Sequence, residues 1–87
     1  MIIGRVIGNV VSTSKVDKLQ GKKLLIVQPL DMVSMNPINK PIVTIDTVGS
    51  GEDEVVMVVS GSSARQTEIT NGTPVDAAIV GIIDEIE

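Results

Sequence analysis

The stretch that decides the fold spans residues 55–65 and is Val55-Val-Met-Val-Val-Ser-Gly61-Ser-Ser-Ala-Arg65. Its first half is a run of five apolar residues, four of them valine, a composition that favours a β-strand. Its second half has only small side chains before Arg65, the one basic residue of segment 41–87. Small residues allow a backbone to come close to an anion, a neighbouring chain or a symmetry axis.

Four further segments on either side show strand patterns. Residues 1–13 have apolar residues or glycine at every even position up to 10, so Gly4 and Gly8 are expected on one face. Glycines there predict strong bending or a closely packed partner backbone, as at barrel corners. In residues 41–48, Val43 and Ile45 are expected opposite Thr44 and Asp46. The predicted strands are 1–13, 23–30, 41–48, 55–60 and 77–86.

The connections are short and polar. Ser62 or Ser63 can cap a short helix that runs to about residue 70, so one helix is predicted between strands 4 and 5. Leu19, Met32 and Met35 are expected to lean on the core from loops. Five short strands at fairly even spacing predict an all-β, closed or nearly closed barrel. The 87 residues form a single domain, 1–87.

Composition excludes several function classes. The chain has no cysteine, histidine or aromatic residue, so thiolate metal sites and histidine-based catalysis are absent. No secretion signal is visible, and the longest apolar run, residues 77–83, is too short to span a bilayer. We therefore expect a cytoplasmic protein that is not inserted in a membrane. Isolated acids such as Asp46, Asp76 and Asp84 have no catalytic partner, and no enzyme activity or cofactor is predicted.

Charge and hydropathy both point towards self-assembly. Residues 1–40 carry six basic and two acidic side chains, a net charge of +4, whereas residues 41–87 carry one basic and nine acidic side chains, a net charge of −8. Either these charges are scattered over a small surface, or they form a basic edge and an acidic edge, which would suit head-to-tail packing of identical chains into a ring. The runs 55–59 and 77–83 are apolar on both faces, although a lone small barrel has one wet face. We expect other subunits to cover the second face.

The alternative function is a small barrel that binds single-stranded nucleic acid. Such sites stack bases on aromatic rings inside a positive groove. This chain has no aromatic residue and a net charge of −4. A basic patch formed by Lys15, Lys18, Lys22 and Lys23 remains the feature that such a site would use.

Five motifs, in register along nearly the whole chain, resemble the EutN/CcmL family of bacterial microcompartment vertex proteins. They are Gly4-Arg-Val-Ile-Gly8 leading into Val10-Val-Ser-Thr13, Leu19-Gln-Gly-Lys-Lys-Leu-Leu-Ile-Val-Gln-Pro-Leu-Asp31, Asp46-Thr-Val-Gly-Ser-Gly51, Gly61-Ser-Ser-Ala-Arg65, and Pro74-Val-Asp-Ala-Ala-Ile-Val-Gly-Ile-Ile-Asp84. The resemblance implies an OB-like five-stranded barrel that assembles into a cyclic homopentamer. It also implies a structural role, closing the five-fold vertices of a shell otherwise tiled by hexameric shell proteins, its expected partners.

Two segments are predicted to lie at subunit contacts or at a narrow axial opening. For residues 49–51 the alternative is a plain hairpin turn, and for 61–65 it is a strand-to-helix turn with a serine cap. Arg65 is expected to bind a carboxylate or carbonyl of the next subunit, because its planar fork matches such acceptors. The predicted site residues are Gly49, Ser50, Gly51, Gly61, Ser62, Ser63, Ala64 and Arg65.

Overall fold

All five predicted strands are present in the computed structural model, which describes residues 1–11, 16–61, 64 and 76–86. The strand β4 has the predicted bounds, and the others are shorter than predicted at one or both ends. The helix predicted between β4 and β5 falls on residues outside the described part of the chain. The strands are β1 (Ile2–Val10), β2 (Leu24–Leu30), β3 (Ile42–Asp46), β4 (Val55–Ser60) and β5 (Ala77–Ile82), with a 3-10 turn at Asp17–Leu19 before β2.

The strands close into a barrel in the order β1-β2-β3-β5-β4, with β4 returning to pair with β1. This confirms the predicted all-β, five-stranded closed barrel. Neighbouring strands are antiparallel except β3 and β5, which run parallel through Ile45↔Ala78 and Asp46↔Ile79. A parallel pair needs a longer connection than a hairpin does. Here the segment of sequence that connects β3 to β5 contains β4.

Strand β1 contains a bulge that the sequence pattern did not reveal. Gly4 pairs with Pro29 and Val56, but the register shifts between Val6 and Gly8, and Gly8 pairs with Ile26. The two glycines therefore do not share a face, which corrects the prediction from alternation. An extra residue in one strand reverses the side-chain parity beyond it and bends the strand. Close backbone approach is confirmed at Gly4, where an added Cβ would collide with Val27 and lie 2.8 Å from the backbone oxygen of Gln28.

The apolar residues form two clusters, one inside the barrel and one outside. The inner cluster contains Val6, Leu25, Val27, Val56, Val58, Ala77 and Ile79. The outer cluster contains Ile45, Ala64 and Ala78, against which the partly buried Leu19, Leu24 and Val59 pack. Leu19 thus anchors its turn to the barrel, as predicted. At this cluster the outer face of the barrel is covered by the chain itself. Here the expectation that other subunits would cover the outer face is corrected.

Strand β3 departs from simple alternation. Thr44, Ile45 and Asp46 are buried one after another, while Val43 is 53% exposed. The buried Thr44 hydroxyl is satisfied by donating to the Leu25 backbone oxygen at 3.1 Å. Ile45 enters the outer cluster instead of the inner one. Both faces of the second half of β3 are therefore covered.

Within the described residues, no helix is both long and apolar enough to cross a bilayer.

Candidate assembly site

The predicted segment 49–51 lies in the β3–β4 connection and is fixed by the carboxylate of Asp46. Asp46 Oδ2 accepts from the Ser50 backbone N–H at 3.0 Å, and Asp46 Oδ1 accepts from the Ser50 hydroxyl at 2.8 Å. The Val48 N–H approaches Asp46 Oδ1 at 3.3 Å. Because Ser50 is fully buried, these bonds satisfy donors that water cannot reach.

Lys23 joins the same network from the residue before β2. Its Nζ lies 3.8 Å from Asp46 Oδ2 and donates to the Ser50 backbone oxygen at 2.5 Å. The Lys23 side chain is 50% exposed, so its charge remains hydrated, whereas the Asp46 side chain is 2% exposed. The network therefore ties the loop to β2 and β3, and its buried partners are Asp46 and Ser50.

Gly49 and the following turn explain the glycines in this segment. Gly49 has φ +77°, a left-handed conformation that favours glycine, and no atom lies within 4 Å of an added Cβ. The Gly51 N–H donates to Glu54 Oε1 at 2.7 Å. The turn then attaches to β1, since the Asp53 N–H donates to the Val6 carbonyl at 2.8 Å. The turn interpretation of residues 49–51 thus has a direct physical basis, and the exposed backbone at Gly49 stays available to a neighbouring chain.

The second predicted segment is described at Gly61 and Ala64. Gly61 has φ +63°, is exposed, and its N–H donates to the Asp76 carbonyl at 2.8 Å. Ala64 is fully buried in the outer cluster. Ser62, Ser63 and Arg65 lie outside the described residues, so the contacts predicted for them remain predictions.

The two predicted segments flank β4 in the sequence: residues 49–51 precede it, and Gly61 directly follows its last residue. Ala64 of the second segment belongs to the same outer cluster as Ile45. Ser50 of the first segment is hydrogen-bonded to Asp46, the residue after Ile45. The buried members of both segments are therefore anchored at the second half of β3.

Sequence reasoning missed an apolar groove at the barrel end where β1 starts, β2 ends and β3 starts. We call it the β1–β3 groove, and its volume is about 480 Å³. Its apolar lining consists of Ile2, Pro29, Leu30, Met32, Val33, Ile38 and Ile42. The signal for it was present in the sequence, because Met32 and Val33 stand in a polar loop. We had expected Met32 to lean on the core, but it is 56% exposed.

Loop 31–40, which forms one wall of the groove, is tightly hydrogen-bonded. Asp31 Oδ1 accepts from the backbone N–H groups of Val33 and Ser34, both at 2.9 Å, which directs residues 32 and 33 outwards. The Gln28 amide donates to the carbonyls of Ile38 and Asn39 at 3.1 and 3.2 Å. Met35, unlike Met32, is half-buried, as predicted, and lies beside Val55 and Ile83.

The Asp31 turn gives a pH-dependent prediction. The N–H groups of Ser34 and Val33 hold the pKa of the Asp31 carboxyl below its usual 3.8. Because the pKa of Asp31 is lower in the folded than in the unfolded state, its ionised carboxylate stabilises the turn at pH values above the unfolded-state pKa. This stabilisation is lost as the pH falls through the folded-state pKa. The backbone amide resonances of Val33 and Ser34 should therefore shift as pH is lowered below about 4. The same resonances in Asp31→Asn should not follow pH, and a wild-type protein whose two amides do not titrate would contradict the assignment.

The described residues show no arrangement suited to metal binding: no group of three or more acidic side chains converges on one point. Among the residues that the structure describes, Asp46 has the one buried carboxylate, and it is bonded to Ser50 and paired with Lys23. The hydrogen bonds of Asp46 hold the loop around Ser50 in place.

Fold and site together define a class: a small closed β-barrel with hydrogen-bonded loops after β2 and β3 and with exposed apolar surface, as expected of a subunit that assembles. A family model described as "Ethanolamine utilisation protein EutN/carboxysome" matches residues 1–84. The chain is 48% identical to the bacterial microcompartment shell vertex protein GrpN of Rhodospirillum rubrum, over 100% of this chain and 97% of GrpN. The chain therefore belongs to the EutN/CcmL family, as the sequence motifs predicted.

Two solved structures confirm the shared fold. The GrpN pentameric microcompartment shell protein from Rhodospirillum rubrum matches with a TM-score of 0.88 at 48% identity, covering 100% of this chain and 99% of that one. CcmL of Gloeobacter violaceus matches with a TM-score of 0.93 at 42% identity, covering 100% of this chain and 89% of that one.

Proposed function

We propose that this chain is a structural shell protein that forms a cyclic homopentamer and closes the five-fold vertices of a bacterial microcompartment. The observation on which the proposal rests is the end-to-end match to GrpN, a pentameric shell protein, in both sequence and fold. The match covers 100% of this chain and 99% of the solved GrpN chain. A protein with this function resides in the cytoplasm, in the microcompartment shell.

The surface of the barrel supports assembly. Val43 on β3, Ile7 on β1 and Val48 after β3 are 53%, 44% and 40% exposed, and the β1–β3 groove adds further apolar surface. Apolar area of this extent on a small domain is typical of a protein that binds other chains. In a shell, the partners would be other copies of this chain and hexameric shell proteins.

The proposed role is mechanical rather than catalytic, and it needs neither a cofactor nor contact with nucleic acid or membrane. In support, the Asp46 carboxylate already accepts a hydrogen bond from the loop residue Ser50. Lys23, one member of the basic patch considered for nucleic acid, contacts Asp46 and the Ser50 carbonyl. The absence of aromatic side chains removes the base-stacking platform that single-strand binding uses.

Native mass spectrometry with light scattering tests the ring. We expect a species of five chains at micromolar concentration, because apolar surface on one chain is buried by the next. A stable monomer under these conditions would contradict the proposal. Salt-dependent binding of the protein to a single-stranded oligonucleotide would instead favour the alternative function.

The predicted contact segments, 49–51 and 61–65, are part of this proposal. We expect Arg65→Ala to weaken the ring while the barrel stays folded, because the guanidinium bonds an acceptor on the next subunit. The expected result is a larger monomer fraction in native mass spectrometry with an unchanged far-ultraviolet circular dichroism spectrum. Loss of the strand signal together with loss of assembly would assign Arg65 to the fold instead.

A further inference from the structure

The methionines of this chain differ in how far a reagent in solution can reach them. The sequence contains four methionines, and all four belong to the described residues. Met32 is 56% exposed, whereas Met35 and Met57 are half-buried. Met1 is also exposed, at 73%, but it is not a residue of the β1–β3 groove. Met32 is therefore the accessible thioether of this groove.

Hydrogen bonds of the loop hold Met32 at the surface without using its side chain. Asp31 Oδ1 accepts from the backbone N–H groups of Val33 and Ser34. The Asp31 carbonyl accepts from the Met35 N–H at 2.8 Å, which closes the turn around residue 32. Because none of these bonds involves the Met32 thioether, a chemical change at its sulfur should leave the turn and the barrel intact.

The two half-buried methionines are packed against other parts of the barrel. The Met57 methyl group fills the space that a Cβ on Gly81, its neighbour on β5, would need. Met35 lies beside Val55 at the start of β4. Both side chains are therefore less open than Met32 to a reagent that must approach the sulfur.

The position of Met32 in the groove gives its oxidation a physical consequence. Met32 lines a concave space of about 480 Å³ together with apolar residues such as Leu30 and Ile38. The charged residues of the lining, Asp31 and Lys40, are opposite in sign, so the character of the groove rests on its apolar side chains. Oxidation converts a methionine from an apolar into a polar side chain, and a sulfoxide at residue 32 would therefore make this surface polar.

We propose that Met32 is an oxidation site for peroxides, and that its sulfoxide changes the β1–β3 groove from an apolar to a polar surface without unfolding the barrel. In this reaction the sulfur lone pair attacks one oxygen of hydrogen peroxide, so that an S–O bond forms and the O–O bond breaks. The proton of the transferred oxygen passes to the departing hydroxide, which leaves as water. The sulfur is oxidised by two electrons and the peroxide is reduced. The inference requires that the groove stay open when the ring forms, and it does not otherwise depend on the proposed function.

Timed oxidation of the folded protein with hydrogen peroxide tests the site. Tandem mass spectrometry of the digested protein assigns each added oxygen to one methionine. We expect Met32 to be oxidised at least about ten times faster than Met35 and Met57, because its sulfur is the more accessible. In concentrated urea the three residues should react at similar rates, which would show that the selectivity comes from the fold.

The outcomes separate this inference from the proposed function. Equal oxidation rates of the three methionines in the folded protein would overturn the inference. Protection of Met32 in a protein that native mass spectrometry shows to be a pentamer would mean that the ring covers the groove, and would remove the inference alone. A monomeric protein in which Met32 is oxidised first would support the inference and remove the proposed function.

A second measurement tests the change in polarity. The dye 8-anilinonaphthalene-1-sulfonate fluoresces on exposed apolar surface, and we expect its signal with the protein to fall at least about twofold after oxidation. The far-ultraviolet circular dichroism spectrum should stay unchanged. Met32→Leu, a matched variant of similar volume that peroxide does not oxidise, should keep its dye signal under the same treatment. An equal loss of signal in Met32→Leu, no loss in the unmodified sequence, or loss of the strand spectrum would contradict the inference.

Discussion

Replacing Gly4 with alanine is expected to lower the melting temperature of the barrel by more than 10 °C. The added Cβ would collide with Val27, which is fully buried, and would lie 2.8 Å from the backbone oxygen of Gln28. The carbonyl can retreat only if β1 and β2 separate, so we expect a cost of about 3 kcal/mol or more. For a domain of this size, 1 kcal/mol shifts the melting temperature by roughly 4–8 °C.

Gly81→Ala is the matched control for this experiment. Its added Cβ would lie 2.5 Å from Met57 Cε, the mobile end of a flexible side chain. Met57 can move by rotation, so we expect a cost below about 1 kcal/mol. Both variants must be measured at one protein concentration, since ring dissociation also contributes to the melting temperature. Equal destabilisation by the two alanines would show that backbone proximity at Gly4 is not the cause.

Replacing Asp46 with alanine is the second change with a large expected effect. It leaves the buried Ser50 hydroxyl and N–H without their acceptor, and each unsatisfied buried donor costs about 1–3 kcal/mol. We therefore expect a loss of about 3 kcal/mol in the free energy of unfolding, measured by urea denaturation. Lys23→Ala should cost no more than about 1 kcal/mol, because the Lys23 side chain is half-exposed.

A double-mutant cycle separates this network from general disruption. Ser50→Ala removes the stranded hydroxyl, so Asp46→Ala with Ser50→Ala should cost clearly less than the two single changes added together. Additive costs would mean that the Asp46–Ser50 bond contributes little and that loop packing holds residues 49–51. Native mass spectrometry of the same variants would then show whether the loop also affects ring formation.

The presence of the five strands and the family of the chain were predictable from the sequence, because both are recorded in local sequence patterns. Runs of valine and isoleucine bounded by Gly, Pro and Asn mark strands, and β4 has the predicted bounds for this reason. The five motifs in register identified the family before any geometry was available. Close packing at Gly4 was also predictable, since a glycine inside a strand indicates backbone approach.

The candidate assembly site was less predictable. The sequence predicted residues 49–51 and 61–65 as contact segments, but the structure buries the Ser50 side chain and Ala64 within the chain. The β1–β3 groove was missed because its lining comes from three strands and a loop. No single segment of the sequence contains it.

The sequence by itself determined that this is a five-stranded barrel of the EutN/CcmL family, because side-chain alternation and turn chemistry are local properties. Only the tertiary structure decided which faces are covered. The bulge after Val6 reverses the parity of β1, and the parallel pairing of β3 with β5 places Ile45 in an outer cluster with Ala64 and Ala78. Register, parity and burial depend on contacts between residues distant in sequence, and such contacts leave no pattern in any one strand.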